Sequence, residues 1–350
     1  MARKKAQPES KKAGESTLDA INDILGATTS SEFEAKTLST GYEPLNKICS
    51  GKYKDGGFPV GRIIEMYGPP SCGKTAISTL LMKECINSGG FAMFMDHERS
   101  FDINLARRLG LNDRSGKFAH VRPTSFEESF FRATKTARAI RDQELIPADA
   151  PIVAVFDSLA MMVPKSKLTK DMTETTMADA LALAKATSQT LPTVKMLAEE
   201  TNMMVLILNQ LREDPTVIHG DKSRTPGGKT PAFVSDLRIA LKAKKLYDKD
   251  KNVTGQRITA TCTKSKLTTP FKSCEWDFLF VGMGKFDMVG GLIEEAVKIN
   301  AIERNGAYTI WDGKSYHKAK LSTFIETSPQ ELEKLKQLII DTESGDADVE

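Results

Sequence analysis

The stretch RIIEMYGPPSCGKT, residues 62–75, decides the fold predicted for this chain. An apolar strand pattern leads into a loop with the spacing G-x-x-x-x-G-K-T, and a helical pattern follows until the glycine pair at 89–90. Glycines allow successive backbone N–H groups to turn toward phosphate oxygens, and the positive end of the helix dipole faces the same anion. The stretch therefore predicts a phosphate-binding loop before a helix whose apolar side is formed by Ile77, Leu81, Cys85 and Ile86.

Two side chains of this loop carry the chemistry that its spacing predicts. Lys74 supplies a positive charge for the β and γ phosphates, and Thr75 offers a hydroxyl to Mg²⁺. A glycine-rich turn with only a structural role is the competing interpretation. The residues predicted to bind the nucleotide here are Gly68, Pro69, Pro70, Ser71, Cys72, Gly73, Lys74 and Thr75.

Length and composition favour one large α/β domain with smaller ends. The chain has 350 residues and a formal net charge of +3, so binding to nucleic acid would need positive charge concentrated in particular loops. Its five cysteines form no C-x-x-C pair, which favours reduced thiols over a disulfide framework or a zinc site. The sequence has neither a signal-peptide pattern nor an apolar run long enough for a membrane span, so we expect a cytoplasmic protein without membrane contact.

Strand-like and helical patterns alternate from residue 38 onward, which predicts an α/β fold with a mostly parallel central sheet. A capping box at Ser125 and Glu128 predicts a helix over 125–141, and a helix over 177–200 should end or kink at Pro192. The long segment 211–230 has no regular pattern and is typical of a functional loop. Central strands are predicted at 62–67, 91–95, 152–156 and 203–208, and edge or antiparallel strands at 236–241, 257–263 and 275–280.

The pattern divides the chain into four regions. Residues 1–37 form a basic tail with a short amphipathic helix at 17–25, whose apolar face docks either on the chain's own core or on a neighbouring subunit. Residues 38–284 form the α/β core. A C-terminal lobe follows at 285–340, with a hairpin turn at Asp312-Gly313 and a last helix from Pro329 to about Ile340. Residues 341–350 are acidic and are expected to be disordered.

Carboxylates at two predicted strand ends are candidates for the chemistry. Asp157 follows the strand at 152–156 and is the predicted second support for Mg²⁺, although such a residue is often only a loop cap. Glu98 follows the strand at 91–95 and is the candidate base that activates water; a surface carboxylate or helix cap is the competing interpretation. His97 beside it is interpreted as a bystander.

A third strand end leads into the long loop. Gln210 can hydrogen-bond a γ phosphate and release it after hydrolysis, which would link the nucleotide to the loop; a satisfied amide without such a role is the alternative. Acidic residues are interleaved with the basic ones of the loop, so a solvated loop competes with a contact to a nucleic-acid backbone. The candidate DNA-binding residues are Arg212, Lys222, Arg224, Gly227, Gly228 and Lys229.

Taken in order, these motifs resemble those of the RecA-type DNA recombinases from about Leu38 to about Ile325. Several motifs in family order are more specific than any one alone. They are Ser39-Thr40-Gly41, Gly57 to Ile63, Asp96 to Gly110, Asp157-Ser158 with Pro164-Lys165, Asn209 to Arg212 with Gly227-Gly228 and Phe233, and Lys264-Ser265-Lys266 with Pro270-Phe271-Lys272.

The resemblance implies a RecA-like P-loop ATPase core with a short N-terminal oligomerisation helix and a small α+β C-terminal lobe. ATP and Mg²⁺ are its implied cofactors. By resemblance, Glu98 activates water, Asp102 lies near the adenine and Asp157 supports the metal, while Lys264 and Lys266 reach the ATP of a neighbouring subunit. Leu105 stands where many members have an aromatic residue over the adenine, which indicates a divergent member, a bacteriophage protein being one source.

The function implied by the resemblance is ATP-dependent homologous recombination. Such a protein forms a helical filament on single-stranded DNA, pairs it with homologous double-stranded DNA and exchanges strands. Three alternatives stay open. A ring-forming helicase would need an N-terminal helical domain that about 37 residues cannot supply, a recombination mediator would bind nucleotide without significant turnover, and a small-molecule kinase would need a substrate lid.

Overall fold

The computed structural model describes residues 36–168, 177–213, 223–280 and 284–346. Three expectations lie wholly or partly outside these ranges: the basic tail with its amphipathic helix, the centre of the loop 211–230 with Lys222, and residues 347–350 of the acidic tail. Within the described part of the chain, no helix is both long enough and apolar enough to cross a membrane.

The strands are numbered in chain order, and five of them are only two residues long. They are β1 (Thr37–Leu38), β2 (Phe58–Pro59), β3 (Ile63–Gly68), β4 (Phe91–Asp96), β5 (Phe118–Val121), β6 (Ile152–Asp157), β7 (Met203–Gln210), β8 (Arg212–Glu213), β9 (Ser223–Arg224), β10 (Leu237–Tyr247), β11 (Val253–Ser265), β12 (Ser273–Leu279), β13 (Lys285–Asp287), β14 (Arg304–Asn305), β15 (Tyr308–Trp311) and β16 (Lys314–His317).

The helices are numbered in the same way. They are α1 (Glu43–Ser50), α2 (Lys74–Asn87), α3 (Ile103–Arg108), α4 (Phe126–Asp142), α5 (Lys165–Leu168), α6 (Met177–Glu200), α7 (Thr230–Val234), α8 (Met288–Lys298), α9 (Lys318–Glu326) and α10 (Pro329–Asp346). A 3₁₀ turn over Leu159–Met161 follows β6.

The central sheet has the strand order β13-β12-β11-β10-β3-β7-β6-β4-β5. Every neighbouring pair from β10 to β5 is parallel, and the pairs from β10 to β13 are antiparallel. The predicted α/β fold with a mostly parallel central sheet is therefore confirmed. All four predicted central strands are present, but β10 and β11 are longer than predicted because their outer halves pair with each other beyond β3.

Helices cover both faces of the parallel part of the sheet, which explains the uninterrupted apolar runs of its strands. Ile64 and Phe94 face one hydrophobic cluster with α2, while their neighbours Ile63 and Met93 face a second cluster with α4 and α6. Successive side chains of a strand point to opposite faces, so both sets are buried only when both faces are covered.

Two helices test the expectations from local signals. Ser125 Oγ accepts a hydrogen bond from the Glu128 backbone N–H at 3.1 Å, as the capping box predicts, but the Glu128 carboxylate accepts from Thr124 N at 2.7 Å. The helix predicted over 177–200 is confirmed as α6; it does not end at Pro192, so a kink at this proline stays a prediction. Leu191, on the buried side of this helix, packs in the core, and such burial offsets the one hydrogen bond that proline removes.

The C-terminal segment contains the expected hairpin, β15 and β16, between α8 and α9. The expectation that the last helix ends near Ile340 was wrong, since α10 extends to Asp346. Gln337 Nε2 donates to Asp341 Oδ1 at 2.7 Å and Thr342 Oγ1 donates to the Leu338 carbonyl at 2.7 Å, and both bonds support the extra turn. Leu321 of α9 joins the same hydrophobic cluster as the core, so the boundary at residue 285 stays a prediction.

Candidate functional site

The candidate site lies where β3, β4, β6 and β7 reach their carboxyl ends. Asp96 is in register with Asp157, and Gly68 is in register with Gln210. Parallel strands place their carboxyl ends at one edge of the sheet, which is where open α/β sheets bind ligands. We call this the phosphate edge, defined by Gly68, Asp96, Asp157 and Gln210.

The phosphate loop requires glycine at both of its fixed positions. A Cβ on Gly68 would lie 2.5 Å from the Leu241 carbonyl oxygen, and one on Gly73 would lie 2.8 Å from Ile258 Cδ1. Gly73 also has a φ of +88°, a backbone conformation that favours glycine. The loop is thus packed against β10 and β11, and Lys74 Nζ folds over it to donate to the Pro69 carbonyl at 2.8 Å.

Thr75 and Asp157 are brought together as predicted. Thr75 Oγ1 donates to Asp157 Oδ2 at 2.8 Å, and Asp157 is only 3% exposed. Burial, with a smaller contribution from the carboxylates of Glu98 and Asp96, raises the pKa of Asp157 to about 7 against the opposing hydrogen bond from Thr75 and charge of Lys74. A cation beside this buried carboxyl would favour its ionised form, so the pair suits Mg²⁺. The described residues contain no group of three or more metal-binding side chains, and phosphate oxygens would complete such a shell.

Glu98 is the centre of a hydrogen-bond network at this edge. Its Oε1 accepts from Ser158 Oγ at 2.5 Å and from Gln210 Nε2 at 2.6 Å. The structure therefore joins two predicted residues that lie 112 positions apart in the chain. The sequence reasoning gave Ser158 no role; its position directly after Asp157 was the available signal.

Asp96 and His97, which precede Glu98 in the chain, have hydrogen-bond partners within the protein. Asp96 is fully buried and pairs with His120 Nε2 at 3.0 Å, while it also accepts from Ser100 N at 3.2 Å. His97 Nε2 lies within hydrogen-bonding distance of Ser129 Oγ. Burial, reinforced by the charge of Arg99, lowers the pKa of His97 to about 4, so this ring is neutral at pH 7.

The ends of the long loop 211–230 are anchored to the sheet by a residue pair that sequence reasoning missed. Glu65 in β3 is fully buried; it pairs with Arg238 Nε at 2.7 Å and accepts from Asn209 Nδ2 at 2.9 Å. Asn209 Nδ2 also donates to the Pro226 carbonyl at 3.0 Å. A charged residue inside an apolar strand pattern was the available signal, because such a charge needs a partner.

The candidate DNA residues of this loop divide into two groups. Arg212 and Arg224 stand opposite each other in the two-residue ladder of β8 and β9, and both are exposed, as are Gly228 and Lys229. The described ends of the loop thus form a short ladder, whereas the sequence pattern predicted no regular structure there. Gly227 is buried, and its carbonyl accepts from Thr187 Oγ1 at 2.7 Å, so it anchors the loop to α6.

Comparison with known proteins identifies the family. A family model described as the RecA N-terminal domain matches residues 18–284. The chain belongs to the RecA family. It is 31% identical over 277 residues to Protein RecA of Desulforapulum autotrophicum, covering 79% of this chain and 74% of that one. It is 30% identical over 318 residues to Protein RecA of Bdellovibrio bacteriovorus, covering 90% and 79%, and 32% identical over 307 residues to that of Ureaplasma parvum, covering 83% and 87%.

Membership of the RecA family establishes the function at the family level. The chain acts in ATP-dependent DNA recombination and repair, and it is a DNA-dependent ATPase. Nucleotide binding, DNA binding and self-association follow from the same membership.

The RecA family resemblance implicates further residues, and they lie in two other places. Asp102 is exposed and caps α3, where its Oδ1 accepts from Asn104 N at 2.8 Å and Leu105 N at 3.1 Å. Lys264 and Lys266 lie at the end of β11, at the opposite edge of the sheet from the phosphate loop. We call this the lysine edge, defined by Lys264, Lys266 and Asp236.

The register of the RecA-family sheet fixes the distance between the two edges. Asp236 N donates to the Ile63 carbonyl at 2.8 Å, and Lys266 N donates to the Asp236 carbonyl at 3.0 Å, so Lys266 lies beside the first residue of β3. The phosphate loop begins at Gly68, the last residue of the same strand. At about 3.3 Å per residue the two edges are roughly 16 Å apart, which is beyond the reach of a lysine side chain.

Both lysines are held by their own chain. Lys264 Nζ donates to the Ala232 carbonyl at 2.9 Å and to the Phe233 carbonyl at 2.8 Å, near the C-terminal end of α7. Lys266 Nζ pairs with Asp236 Oδ1 at 2.9 Å. Burial and the charge of Lys266 lower the pKa of Lys264, whereas the hydrogen bond to Asp236 raises the pKa of Lys266.

Proposed function

We propose that this RecA family member polymerises on single-stranded DNA with ATP and Mg²⁺, pairs that strand with a homologous duplex and exchanges strands. The observation that carries this proposal is the position of Glu98, which accepts hydrogen bonds from Ser158 and from Gln210 beside the phosphate loop. Gln210 ends β7 and opens the loop that carries the candidate DNA residues. One amide thus links a candidate base to a candidate DNA-binding segment.

In this proposal the phosphate loop binds ATP through its backbone N–H groups, with Lys74 against the β and γ phosphates. Thr75 and Asp157 hold Mg²⁺, which neutralises charge that develops on the phosphate oxygens. The raised pKa of Asp157 supports this role, because burial disfavours the ionised carboxylate more than the hydrogen bond from Thr75 and the charge of Lys74 favour it, and a bound cation would reverse that balance. Asp102 is proposed to lie near the adenine.

Glu98 is the proposed base that orients and deprotonates the attacking water. While Gln210 donates to Glu98, the amide holds the base inside the protein. A γ phosphate offers Gln210 an alternative acceptor, so nucleotide binding would release Glu98 and move the start of the loop together. The loop residues Arg212, Lys222, Arg224, Gly227, Gly228 and Lys229 are proposed to bind the DNA strand.

Lys264 and Lys266 are proposed to act on the ATP of a neighbouring subunit. Their position at the lysine edge, roughly 16 Å from the chain's own phosphate loop, supports action in trans. Two lysines that neutralise the γ phosphate across a junction would stabilise a helical filament only while that charge is present. The N-terminal segment 1–37 is proposed as the oligomerisation arm, the lobe 285–340 as a duplex-binding lobe and the cytoplasm as the location.

ATP turnover with and without single-stranded DNA tests this proposal. Lys74→Ala and Glu98→Gln are each expected to lower DNA-stimulated turnover at least roughly 100-fold, the usual contribution of a phosphate-loop charge or a general base. Lys83→Ala is the matched control, because Lys83 lies on the same helix as Lys74 and pairs on the surface with Glu84. Its turnover should equal that of the wild type.

The outcomes separate the alternatives. Unstimulated turnover that Glu98→Gln leaves unchanged would favour a recombination mediator, and duplex unwinding during hydrolysis would favour a helicase. Electron microscopy with a non-hydrolysable ATP analogue and an oligonucleotide completes the test. Helical filaments support the proposal, whereas monomers or closed rings contradict it.

A further inference from the structure

Asp236 is shared by two lysines at the lysine edge. Its Oδ1 lies 2.9 Å from Lys266 Nζ, and Lys195 Nζ of α6 lies 2.8 Å from both Oδ1 and Oδ2. The Asp236 side chain is 5% exposed. Burial raises the pKa of Asp236, but hydrogen bonds from Lys195 and Lys266 outweigh burial, and the net effect is a pKa below the usual value. The carboxylate is therefore ionised at pH 7.

The two lysines differ in how firmly they are held. Lys195 is 28% exposed, and its Nζ has a second acceptor in the Val234 carbonyl at 2.9 Å. Lys266 is 60% exposed and extends from the end of β11. Its backbone N–H donates to the Asp236 carbonyl at 3.0 Å, so the side chain can leave while the backbone stays in place.

We propose that Asp236 holds Lys266 in the free subunit as a substitute for nucleotide phosphate, and that Lys195 keeps Asp236 paired when Lys266 transfers to the neighbouring subunit. This inference rests on the proposed action of Lys266 in trans. Asp236 and Lys195 are then positioning residues for assembly, since neither touches the nucleotide.

The free-energy cost of moving Lys266 depends on whether the buried Asp236 carboxylate keeps a partner. A buried charge that loses its only partner is strongly destabilising, whereas one that keeps a close partner is not. With Lys195 in place, the transfer of Lys266 exchanges one ion pair for another, and the greater charge of a triphosphate favours the exchange. Without Lys195, the transfer would leave Asp236 buried and unpaired, so Lys266 would stay.

Opposite effects of two substitutions follow from this arrangement. Asp236→Asn removes the carboxylate that competes with nucleotide phosphate for Lys266. Lys195→Gln makes the Asp236 carboxylate a stronger competitor. The measurement is the concentration of a non-hydrolysable ATP analogue that gives half-maximal assembly on a fluorescent single-stranded oligonucleotide. Asp236→Asn should lower this concentration roughly threefold to tenfold, and Lys195→Gln should raise it by a similar factor, as expected for a half-buried ion pair.

Two further variants distinguish positioning from a general structural role. Lys195→Arg retains the charge and should restore the wild-type concentration. The double variant Asp236→Asn with Lys195→Gln should behave like Asp236→Asn alone, because Lys195 acts only through Asp236. Shifts in one direction for both single variants, or additive shifts in the double variant, would overturn the inference.

The matched control uses a second carboxylate shared by two cations. Glu294 pairs with Arg304 at 2.8 Å and with Lys318 at 2.8 Å in the C-terminal lobe, and Glu294→Gln should leave the half-maximal concentration unchanged. Lys266→Ala distinguishes failure of the proposed trans role of Lys266 from failure of the inference about Asp236 and Lys195. If Lys266→Ala assembles like the wild type, the proposed trans role fails. If it fails to assemble while the Asp236 and Lys195 variants show no shift, only the present inference fails.

Discussion

The two edges of the central sheet shift the pKa of a buried aspartate in opposite directions. At the phosphate edge, Asp157 is a buried carboxyl whose partner is a hydroxyl, and burial raises its pKa to about 7. At the lysine edge, Asp236 is a buried carboxylate with two lysines, and its pKa falls below the usual value even though burial alone would raise it. The pKa of a buried aspartate is thus raised where its hydrogen-bond partner is a hydroxyl and lowered where two lysines pair with it.

In the proposed filament this difference would let adjacent subunits complement each other. Lys74 supplies a cation at the phosphate edge of one copy, and Lys264 and Lys266 at the lysine edge of another would add two more. Lys264 and Lys266 are already paired with acceptors of their own chain, so the proposed assembly would exchange their partners and would not only add new ones. The ion pairs that the exposed lysine side chains form in this exchange are expected to weaken as salt screens their charges.

The largest effect is expected on ATP turnover, from a substitution beside Glu98 at the phosphate edge. Gln210→Glu replaces the donor that lies 2.6 Å from Glu98 Oε1 by a second carboxylate. Like charges at this distance disfavour ionisation of the pair and repel a γ phosphate, so DNA-dependent turnover should fall at least roughly 100-fold. The measurement is steady-state ATP hydrolysis with saturating single-stranded DNA.

The control for this variant makes the same change on the surface. Gln337 Nε2 donates to Asp341 Oδ1 at 2.7 Å on the exposed side of α10, and Gln337→Glu should not alter turnover. Wild-type turnover by Gln210→Glu would show that this amide is unconnected to the base.

A stability effect of intermediate size is expected at Asp157. The folded-state pKa of about 7 lies above the ordinary value of 3.8, so the native state holds the proton more tightly and loses stability as pH rises between these values. Asp157→Asn removes that loss and should raise the free energy of unfolding by up to roughly 4 kcal/mol at pH 8, with little gain at pH 4. Urea unfolding without nucleotide or Mg²⁺ measures the difference.

Asp236→Asn complements this test because its expected effect on the free energy of unfolding at pH 8 has the opposite sign. A lowered pKa stabilises the folded state above the ordinary value, so this variant should be less stable than the wild type at pH 8. Equal responses of the two variants would contradict the difference between the edges.

The smallest effect is expected in the C-terminal lobe, outside both edges. Burial raises the pKa of Glu294, but Arg304 and Lys318 outweigh it and lower the value to about 2, below the ordinary 4.5. The pair therefore stabilises the protein above pH 4.5 and loses this contribution as pH falls toward 2. Because Glu294 is 40% exposed, Glu294→Gln should cost under about 1 kcal/mol at pH 7 and less at pH 3, measured by thermal unfolding. A constant cost at both pH values would exclude the ion pair as its origin.

Local patterns were sufficient for the parallel strands, the phosphate loop and the strand-end positions of Asp157 and Gln210. Each depends on side-chain period or on a fixed short spacing, which neighbouring residues specify among themselves. The same local logic failed at the end of α10, where side-chain hydrogen bonds support the helix beyond Ile340.

The sequence by itself determined the family, the sheet and the placement of candidate groups at strand ends, because these follow from periodicity and from ordered motifs. Only the tertiary structure decided which groups meet. Glu98 shares its carboxylate with residues 60 and 112 positions away, and Asp236 meets a lysine 41 positions away. Such contacts depend on strand order and helix packing across the whole sheet, which no local pattern encodes.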